Sequence, residues 1–414
     1  MCATTLRAAA VRATTLLALI GATAPLASQE PALPGQLREH VRSPSDTTHP
    51  FAVYMPSKRQ GPRAPLLIVL DPSGGAVQML REFAPAAEQL GWVVASAEDS
   101  RSDNGDETPT VESAAAIIAW ATKAFPLDGR RVYLTGMSGT ARIAWLIWRD
   151  YRSLVAGVLC AGATVAAPGT EEFVQGDPTV AVALTAGNTD FNYAEVRTFA
   201  PVLEKQGIAH RFGSFAGPHA WPPREELAAS LNWLELRAML GGRRPVDSAF
   251  VHAAFARDLA RADSLAAAGD LDMAEVAART VERDAVGWPE AAEAHARVTT
   301  LGARAEFVTF RKTLDATLAR ENAQQGELLK VLAWEEARMN PPSVDDLLDR
   351  LGAPALVKDT KGSDVQRALS AKRQIARLRG MLDFYAPTLR ERAGKPEHAA
   401  RLREAGQRLK ALTG

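Results

Sequence analysis

The stretch Val132–Arg142 reads VYLTGMSGTAR, and its pattern decides the fold class. A β-rich apolar run passes through Gly-Met-Ser-Gly into a helical pattern, which predicts a tight strand-to-helix turn with Ser138 at its apex. Such a turn pushes a serine hydroxyl out of the sheet, where a base can activate it as a nucleophile. The alternative is an ordinary loop in which Ser138 caps the helix.

The turn departs from the usual Gly-x-Ser-x-Gly pattern at one position. Thr140 stands where a second glycine normally lets the helix and the strand pack closely, although Gly139 precedes it. Gly136 and Gly139 are small enough for a strained backbone to turn without Cβ clashes. We therefore still expect a nucleophile elbow.

Around this turn, from His49 to about Leu240, β-rich runs alternate with helical patterns. This order predicts an α/β fold with a mostly parallel sheet covered by helices on both faces. The predicted strands are Phe51–Met55, Leu66–Leu70, Trp92–Ala95, Arg131–Leu134, Val155–Leu159, Val180–Leu184 and Arg211–Phe215. The predicted helices are Ala76–Leu90, Val111–Phe125, Ala141–Trp148, Tyr193–Gln206 and Arg224–Leu240.

The chain changes character after the linker-like sequence GGRRP, which begins at Gly241. The residues beyond this linker are rich in helix formers, which predicts an all-α C-terminal domain over residues 241–414. Two antiparallel helices are expected to join at Gly269 and Asp270, a weak sign of a tetratricopeptide-type repeat. A helical bundle without a repeat is the alternative, because no second copy recurs at a fixed period and the rest is divided into helices of unequal length by Pro341, Pro342, Pro354 and Pro387.

The N-terminal 28 residues are expected to be a secretory signal peptide. Arginines precede an apolar run over Ala13–Ala27, and small residues end it. A membrane anchor is the alternative, but the run is shorter than the roughly 20 residues that span a bilayer. We therefore expect an exported protein, periplasmic or extracellular, with a first folded domain over residues 29–240. Cys160 would then be the one cysteine left, so the mature fold would have no internal disulfide.

Composition narrows the class of partner. The 414 residues include 48 Lys and Arg and 48 Asp and Glu, so the net charge is zero, and 47% of the residues are hydrophobic. Such a chain has no basic field that would attract nucleic acid, and small neutral substrates fit it better. The sequence has no His or Cys spacing of the kind that binds a metal.

The serine needs a base, and the chain has seven histidines. Of these, His210 and His219 come after the elbow within the sheet region. His210 opens a predicted strand, whereas His219 lies in the loop GPHAWPP ahead of the last predicted helix. A loop at this place is where such a base belongs, so His219 is the candidate. An ordinary surface histidine is the alternative.

The third member should be a carboxylate that orients the imidazole. Asp190 comes after a buried strand and precedes a helix, which gives the chain order Ser, Asp, His. A helix N-cap is the alternative role for Asp190.

The oxyanion hole needs backbone N–H groups, one of them from the residue after the nucleophile, Gly139. Ser73 or Gly74, in the small-residue loop after the predicted strand Leu66–Leu70, is the candidate for the second donor. The alternative is a plain turn. Five tryptophans of the sheet region are candidates to line a substrate pocket, but most of them lie at core-like positions, which leaves Trp221 as the candidate: Trp92, Trp120, Trp145, Trp148 and Trp221.

Taken together, DPSGG, LTGMSGTAR, the strand end with Asp190 and GPHAWPP resemble the α/β-hydrolase superfamily. Within it they resemble secreted esterases related to polyhydroxybutyrate depolymerases and feruloyl esterases. The resemblance covers roughly residues 49–240 and implies a small-molecule or polymeric ester as substrate. It also implies that Ser138 is the nucleophile, His219 the general base and then acid, and Asp190 its partner.

Two alternatives remain open. The same triad serves peptidases, thioesterases and lactone hydrolases, because the pocket and not the fold selects the substrate. The sheet domain could instead be an inactive scaffold whose helical tail binds protein partners.

Overall fold

The computed structural model describes residues 33–102, 106–164, 180–337, 339–391 and 394–413. The predicted signal peptide, residues 1–28, lies outside the described residues. No helix in the described part of the chain is long and apolar enough to cross a membrane.

An eight-stranded sheet has the order β1-β2-β4-β3-β5-β6-β7-β8. Its strands are β1 Leu37–Ser43, β2 Asp46–Tyr54, β3 Ala64–Leu70, β4 Val93–Ala97, β5 Leu127–Met137, β6 Gly157–Ala161, β7 Ala181–Gly187 and β8 Ala209–Phe215. Strand β2 is antiparallel to both β1 and β4, whereas β3 is parallel to β4 and β5. All seven predicted strands are present. β1 is additional, and the exposure of several of its side chains hid it from the apolar pattern.

Among the described residues, four helices lie between strands, and a fifth follows β8: α1 Ala76–Leu90, α2 Thr108–Ala124, α3 Gly139–Asp150, α4 Tyr193–Lys205 and α5 Arg224–Leu240. Eight more lie beyond the sheet: α6 Ser248–Ala267, α7 Leu271–Asp284, α8 Glu290–Gly302, α9 Ala305–Ala337, α10 Val344–Arg350, α11 Ala353–Asp359, α12 Val365–Glu391 and α13 Pro396–Thr413. The predicted α/β sheet region succeeded by a helical region is therefore confirmed. The expected break at Pro387 is wrong, because α12 continues through it. The repeat stays a prediction.

The described chain divides into two compact units. The first comprises the described parts of residues 1–160, 179–182 and 223–245, and its core is built on β3, every residue of which is buried. Glu235, on α5, is fully buried there and accepts hydrogen bonds from Trp92 Nε1 at 2.9 Å and Arg131 Nη1 at 3.2 Å. Because a buried carboxylate without donors is costly, these bonds make Glu235 compatible with the core.

The second unit comprises the described parts of residues 161–178, 183–222 and 246–414. It therefore includes both α4 and the helical region. Arg197, on α4, donates to Asp272, on α7, with Nη2 and Oδ1 2.9 Å apart, and both side chains are buried. The predicted boundary between residues 240 and 241 stays a prediction about which segment folds alone.

Candidate active site

Ser138 has a backbone conformation that is unusual for any residue with a side chain. It lies between the last residue of β5, Met137, and the first of α3, with φ of 57° and ψ of −125°. Among the described residues, His40 is the other non-glycine residue with positive φ. Glycine normally occupies this conformation, and holding another residue in it costs about 1–3 kcal/mol. Such strain persists where the surrounding structure enforces it, commonly at functional sites.

The close approach within this turn occurs at Gly136 and not at the position of Thr140. A Cβ on Gly136 would lie 2.4 Å from the carbonyl carbon and oxygen of Thr140. The Thr140 side chain is fully buried, and its Oγ1 contacts the Leu70 carbonyl oxygen at 2.5 Å and accepts from the Met137 N–H at 3.1 Å. Threonine is tolerated because its hydroxyl joins the ends of β3 and β5.

Gly139 begins α3, where backbone N–H groups have no acceptor within the helix. A Cβ on Gly139 would lie 2.4 Å from Cβ of Ser102, so any larger residue would displace one of the two. Glycine is required here by packing, and its N–H belongs to the helix end that favours negative charge.

Ser73 and Gly74 lie in the loop after β3, and both of their N–H groups have acceptors. Ser73 donates to Asp71 Oδ1 at 2.8 Å, and Gly74 donates to the Asp71 carbonyl oxygen at 3.2 Å. Gly75 donates to the same Oδ1 at 2.9 Å. Asp71 therefore accepts the N–H groups of this loop. For Ser73 or Gly74 to donate to an oxyanion, its N–H must first break its hydrogen bond to Asp71.

Asp190 and His219 form a hydrogen-bonded pair in the second unit. His219 Nδ1 lies 2.8 Å from Asp190 Oδ1. Asp190 is fully buried, and the His219 side chain is 16% exposed. Because a carboxylate only accepts, Nδ1 carries a proton, and the neutral ring then has its lone pair on Nε2, which is the tautomer that a general base needs.

The loops that carry this pair are bonded to each other. Thr189 donates to the Gly217 carbonyl oxygen through its N–H at 3.0 Å and its hydroxyl at 2.8 Å. Gly217 N–H donates to Asn188 Oδ1 at 3.2 Å. A Cβ on Gly187 would lie 2.3 Å from the Gly217 carbonyl oxygen, so only glycine fits at the end of β7. These contacts hold the loop after β7, which carries Asp190 and is called the acid loop below, against the loop after β8 that carries His219.

Three further residues surround the Asp190–His219 pair, and none of them was predicted from the sequence. Asn192 donates its backbone N–H to Asp190 Oδ1 at 2.7 Å and its side-chain Nδ2 to the Gly162 carbonyl oxygen at 2.8 Å. Gly162 has φ of 64°, and a Cβ there would lie 2.9 Å from Asp190 Oδ2. The Phe191 ring packs on the imidazole of His219, with centroids 4.1 Å apart. Only the short Gly-containing sequence after β6 offered a signal, and it was not specific.

His210, the other histidine considered as a base, is placed differently. It is buried, and its Nδ1 donates to the Ile208 carbonyl oxygen at 2.9 Å while Arg283 Nη1 approaches Nε2 at 3.3 Å. Burial, then the charge of Arg283, lowers the pKa of His210 to about 4. It is therefore neutral near pH 7, with its second nitrogen facing a cation.

The structure thus brings together Asp190 and His219 of the predicted site residues. Ser138, Gly139, Ser73 and Gly74 belong to the first unit. Trp221 is partly buried in the loop after His219, and its substrate contact stays a prediction. Among the residues described, no group of three or more His, Cys, Asp or Glu side chains is arranged to hold a metal ion.

The sheet order and the strained turn after β5 define the α/β-hydrolase fold.

No family model matches the chain. No curated protein matches it either. Similar solved structures include FphF, a fluorophosphonate-binding serine hydrolase of Staphylococcus aureus, with 11% identity, a TM-score of 0.39 and coverage of 49% of this chain and 98% of that one. Esterase B of Lactobacillus rhamnosis has 17% identity, a TM-score of 0.39 and coverage of 57% and 92%. Est1E of Butyrivibrio proteoclasticus has 14% identity, a TM-score of 0.36 and coverage of 45% and 95%.

Proposed function

We propose that this protein is a serine hydrolase that cleaves an ester by acyl transfer to Ser138, with His219 as general base and Asp190 as its partner. The strained backbone of Ser138 carries the proposal, because nothing in ordinary helix capping requires a non-glycine residue at φ of 57°. The buried Asp190 supplies the second element, since it holds His219 in the tautomer that accepts a proton at Nε2.

These roles define a reaction in two stages, acylation of Ser138 and hydrolysis of the acyl-enzyme. His219 Nε2 takes the hydroxyl proton as Ser138 Oγ attacks the ester carbonyl, and the imidazolium is stabilised by Asp190. The Gly139 N–H is assigned to the oxyanion of the tetrahedral intermediate. His219 then gives its proton to the departing alcohol. A water molecule, deprotonated by His219, cleaves the acyl-enzyme and regenerates Ser138 with release of the acid.

The second oxyanion donor is proposed to be Ser73 or Gly74, as the sequence predicts. Because the N–H groups of both residues bond to Asp71, substrate binding would have to rearrange this loop. Trp221 is proposed as an apolar wall for the substrate. We infer no metal or organic cofactor in these steps, since each proton and electron pair has a side chain or water as its source.

We also infer that the chain is exported, on the strength of the charge and apolar pattern of residues 1–28. An exported esterase could meet polymeric as well as small esters. N-terminal sequencing of the mature protein should find a start near residue 29, whereas an intact N-terminus in the membrane fraction would favour an anchor.

Covalent labelling with a fluorophosphonate probe tests the nucleophile. The wild-type protein should be labelled, and Ser138→Ala should remove labelling and lower kcat on short-chain p-nitrophenyl esters by at least about 10³-fold. Ser264→Ala is the matched control, because Ser264 is a helix-surface serine whose hydroxyl donates to the Ala260 carbonyl oxygen. Its labelling and turnover should equal those of the wild type.

A panel of substrates then assigns the ester class. Short-chain esters, a feruloyl ester and poly(3-hydroxybutyrate) separate the two implied esterase types from each other, and peptide, thioester and lactone substrates test the alternatives. A well-folded wild type that neither reacts with the probe nor turns over any substrate would contradict the enzyme proposal. That outcome would favour an inactive scaffold with a protein-binding helical region.

A further inference from the structure

Two arginines of the helical region contact the loop that carries Asp190. Arg373 and Arg377 are four residues apart on α12, so they project from the same face of that helix. Both donate hydrogen bonds to Glu321 of α9, Arg373 to its carboxylate and Arg377 to its backbone carbonyl oxygen. We refer to Glu321, Arg373 and Arg377 as the arginine clamp.

Arg373 bonds to the clamp's carboxylate and to the acid loop at once. Its Nε and Nη2 donate to the two carboxylate oxygens of Glu321 at 2.9 and 2.5 Å, a bidentate pair. Its Nη1 donates to the carbonyl oxygen of Asn188 at 3.0 Å. The guanidinium also lies over the ring of Tyr193, 4.7 Å from its centroid, at the start of α4.

Arg377 bonds to the other side of the same loop. Its Nη1 donates to the carbonyl oxygen of Glu321 at 2.8 Å, and its Nη2 donates to the carbonyl oxygen of Phe191. Asn188 and Phe191 flank Asp190, so the clamp holds the backbone on both sides of the acid. The two bonds anchor the backbone before and after Asp190, which restricts the movement of the short segment that carries the acid.

The three charged side chains of the clamp are buried, and burying charged groups costs free energy. Arg373, Arg377 and Glu321 are 4%, 7% and 1% exposed. Burial lowers the pKa of Arg377, and the negative charges of Glu321, Glu195 and Asp190 oppose that effect. Replacing a buried ion pair by apolar residues is often neutral or stabilising, so a requirement for packing alone would not select two arginines here.

We propose that Arg373 and Arg377 are positioning residues that keep the Asp190 carboxylate on His219 Nδ1, which makes the helical region part of the catalytic machinery. This inference rests on the proposed function of the Asp190–His219 pair. Neither arginine touches the reacting atoms. Each acts on the acid through a backbone carbonyl group.

The substitutions Arg373→Lys and Arg377→Lys test the proposal in the full-length protein. Lysine keeps the positive charge but loses the planar group that bonds to two acceptors in fixed directions. We expect kcat to fall about 10- to 100-fold, the loss that a small misplacement of a catalytic group causes. KM should stay nearly unchanged, since no substrate contact is removed.

The pH profile adds a readout that a purely structural role would not move. The pH dependence of kcat/KM reports the acid and base groups of the free enzyme, and displacing Asp190 would change the charge and the hydrogen bond at the imidazole of His219. The pH profile of kcat/KM should therefore differ from that of the wild type in both variants. Arg197→Lys is the matched control, because Arg197 is also buried and bonded to a carboxylate, that of Asp272, and makes neither of the two carbonyl bonds to the loop.

Loss of activity only in proportion to unfolded protein, with the pH profile unchanged and the control equally affected, would overturn the proposal. A second measurement separates this failure from failure of the proposed function. The downfield proton resonance of His219 Nδ1–H, assigned by its loss in Asp190→Ala, should shift or broaden in Arg377→Lys and stay in place in Arg197→Lys. This holds whether or not Ser138 reacts with a fluorophosphonate, and an unmoved resonance in folded Arg377→Lys would contradict the clamp.

Discussion

Gly162 lies so close to the imidazole of His219 that even a Cβ at this position would crowd the ring. A Cβ built on Gly162 would be 3.0 Å from Cε1 and 3.1 Å from Nδ1 of His219, and 2.9 Å from Asp190 Oδ2. Oδ2 is buried, and no described residue donates to it. The hydrogen bond between Asp190 and His219 therefore depends on residue 162 having no side chain.

Gly162→Ala should separate Asp190 from His219 and lower kcat about 10- to 100-fold. The matched control is Gly207→Ala, because Gly207 has a similar φ of 68° but nothing within 4 Å of a Cβ. Both variants should lose about 1–2 kcal/mol of unfolding free energy to the left-handed backbone, as measured by urea titration. Equal kcat values in the two variants would mean that Gly162 is a structural residue alone.

Ser138→Gly should be more stable than Ser138→Ala, although both should be inactive. Alanine keeps a side chain at φ of 57°, whereas glycine adopts this conformation without the clash. We expect a gain of about 1–2 kcal/mol in the free energy of unfolding, measured by urea titration of both variants. If the two variants unfold at the same urea concentration, the elbow is not strained as described.

The buried His210 should make the fold sensitive to mild acid. Its pKa is about 4 when folded against 6.5 as the reference, so between these values the unfolded chain binds a proton that the folded chain does not. The free energy of unfolding should therefore be unaffected by His210 above pH 6.5 and fall as the pH falls towards 4. The full loss would be about 3 kcal/mol.

His210→Asn should remove this part of the pH dependence, since asparagine can keep a donor near the Ile208 carbonyl group but does not titrate. Urea unfolding at pH 7 and pH 5 measures the difference. His295→Asn is the control, because His295 is a solvent-facing histidine with a 70% exposed side chain. A wild type and a His210→Asn variant that lose the same stability on acidification would contradict the prediction.

A chain cut after Gly241 should fold poorly, contrary to the expectation that residues 29–240 fold alone. The cut removes Asp272 and the arginine clamp, so Arg197 loses its carboxylate partner and the loop of Asp190 loses both arginine contacts. Breaking a buried ion pair by removing one partner typically costs about 3–5 kcal/mol. Solubility and near-UV circular dichroism of the fragment test this, with residues 242–414 supplied as a separate chain for rescue. A soluble, cooperatively unfolding fragment would restore the boundary that the sequence predicts.

Several elements could be predicted from the sequence to the residue. The helices Ala76–Leu90 and Arg224–Leu240 have the predicted bounds, because a glycine comes directly after each and ends it. The strand β3 is predictable from its unbroken apolar run, which reflects burial on both faces. The polar edge strand β1 has no such signal, and Pro387 is tolerated within α12.

In the candidate site, too, some residues could be predicted from the sequence and others could not. The types and order of Ser138, Asp190 and His219 can be inferred from local turn and strand patterns, which extend over a dozen residues or fewer. Gly162, Asn192 and the arginine clamp leave no such pattern. The bond from Arg373 to the Asn188 carbonyl oxygen joins residues 185 positions apart, and no periodicity records a contact at that separation.

The sequence by itself determined the α/β architecture, the tight strand-to-helix turn at Ser138 and the choice of acid and base candidates, because hydrophobic period and turn chemistry are local properties of the chain. Only the tertiary structure decided that Asp190 and His219 meet at 2.8 Å, that Asp71 binds the Ser73 N–H, and that arginines from a distant helix fix the acid loop. Those outcomes depend on which segments pack together, and packing is set by the shape and burial of the whole fold.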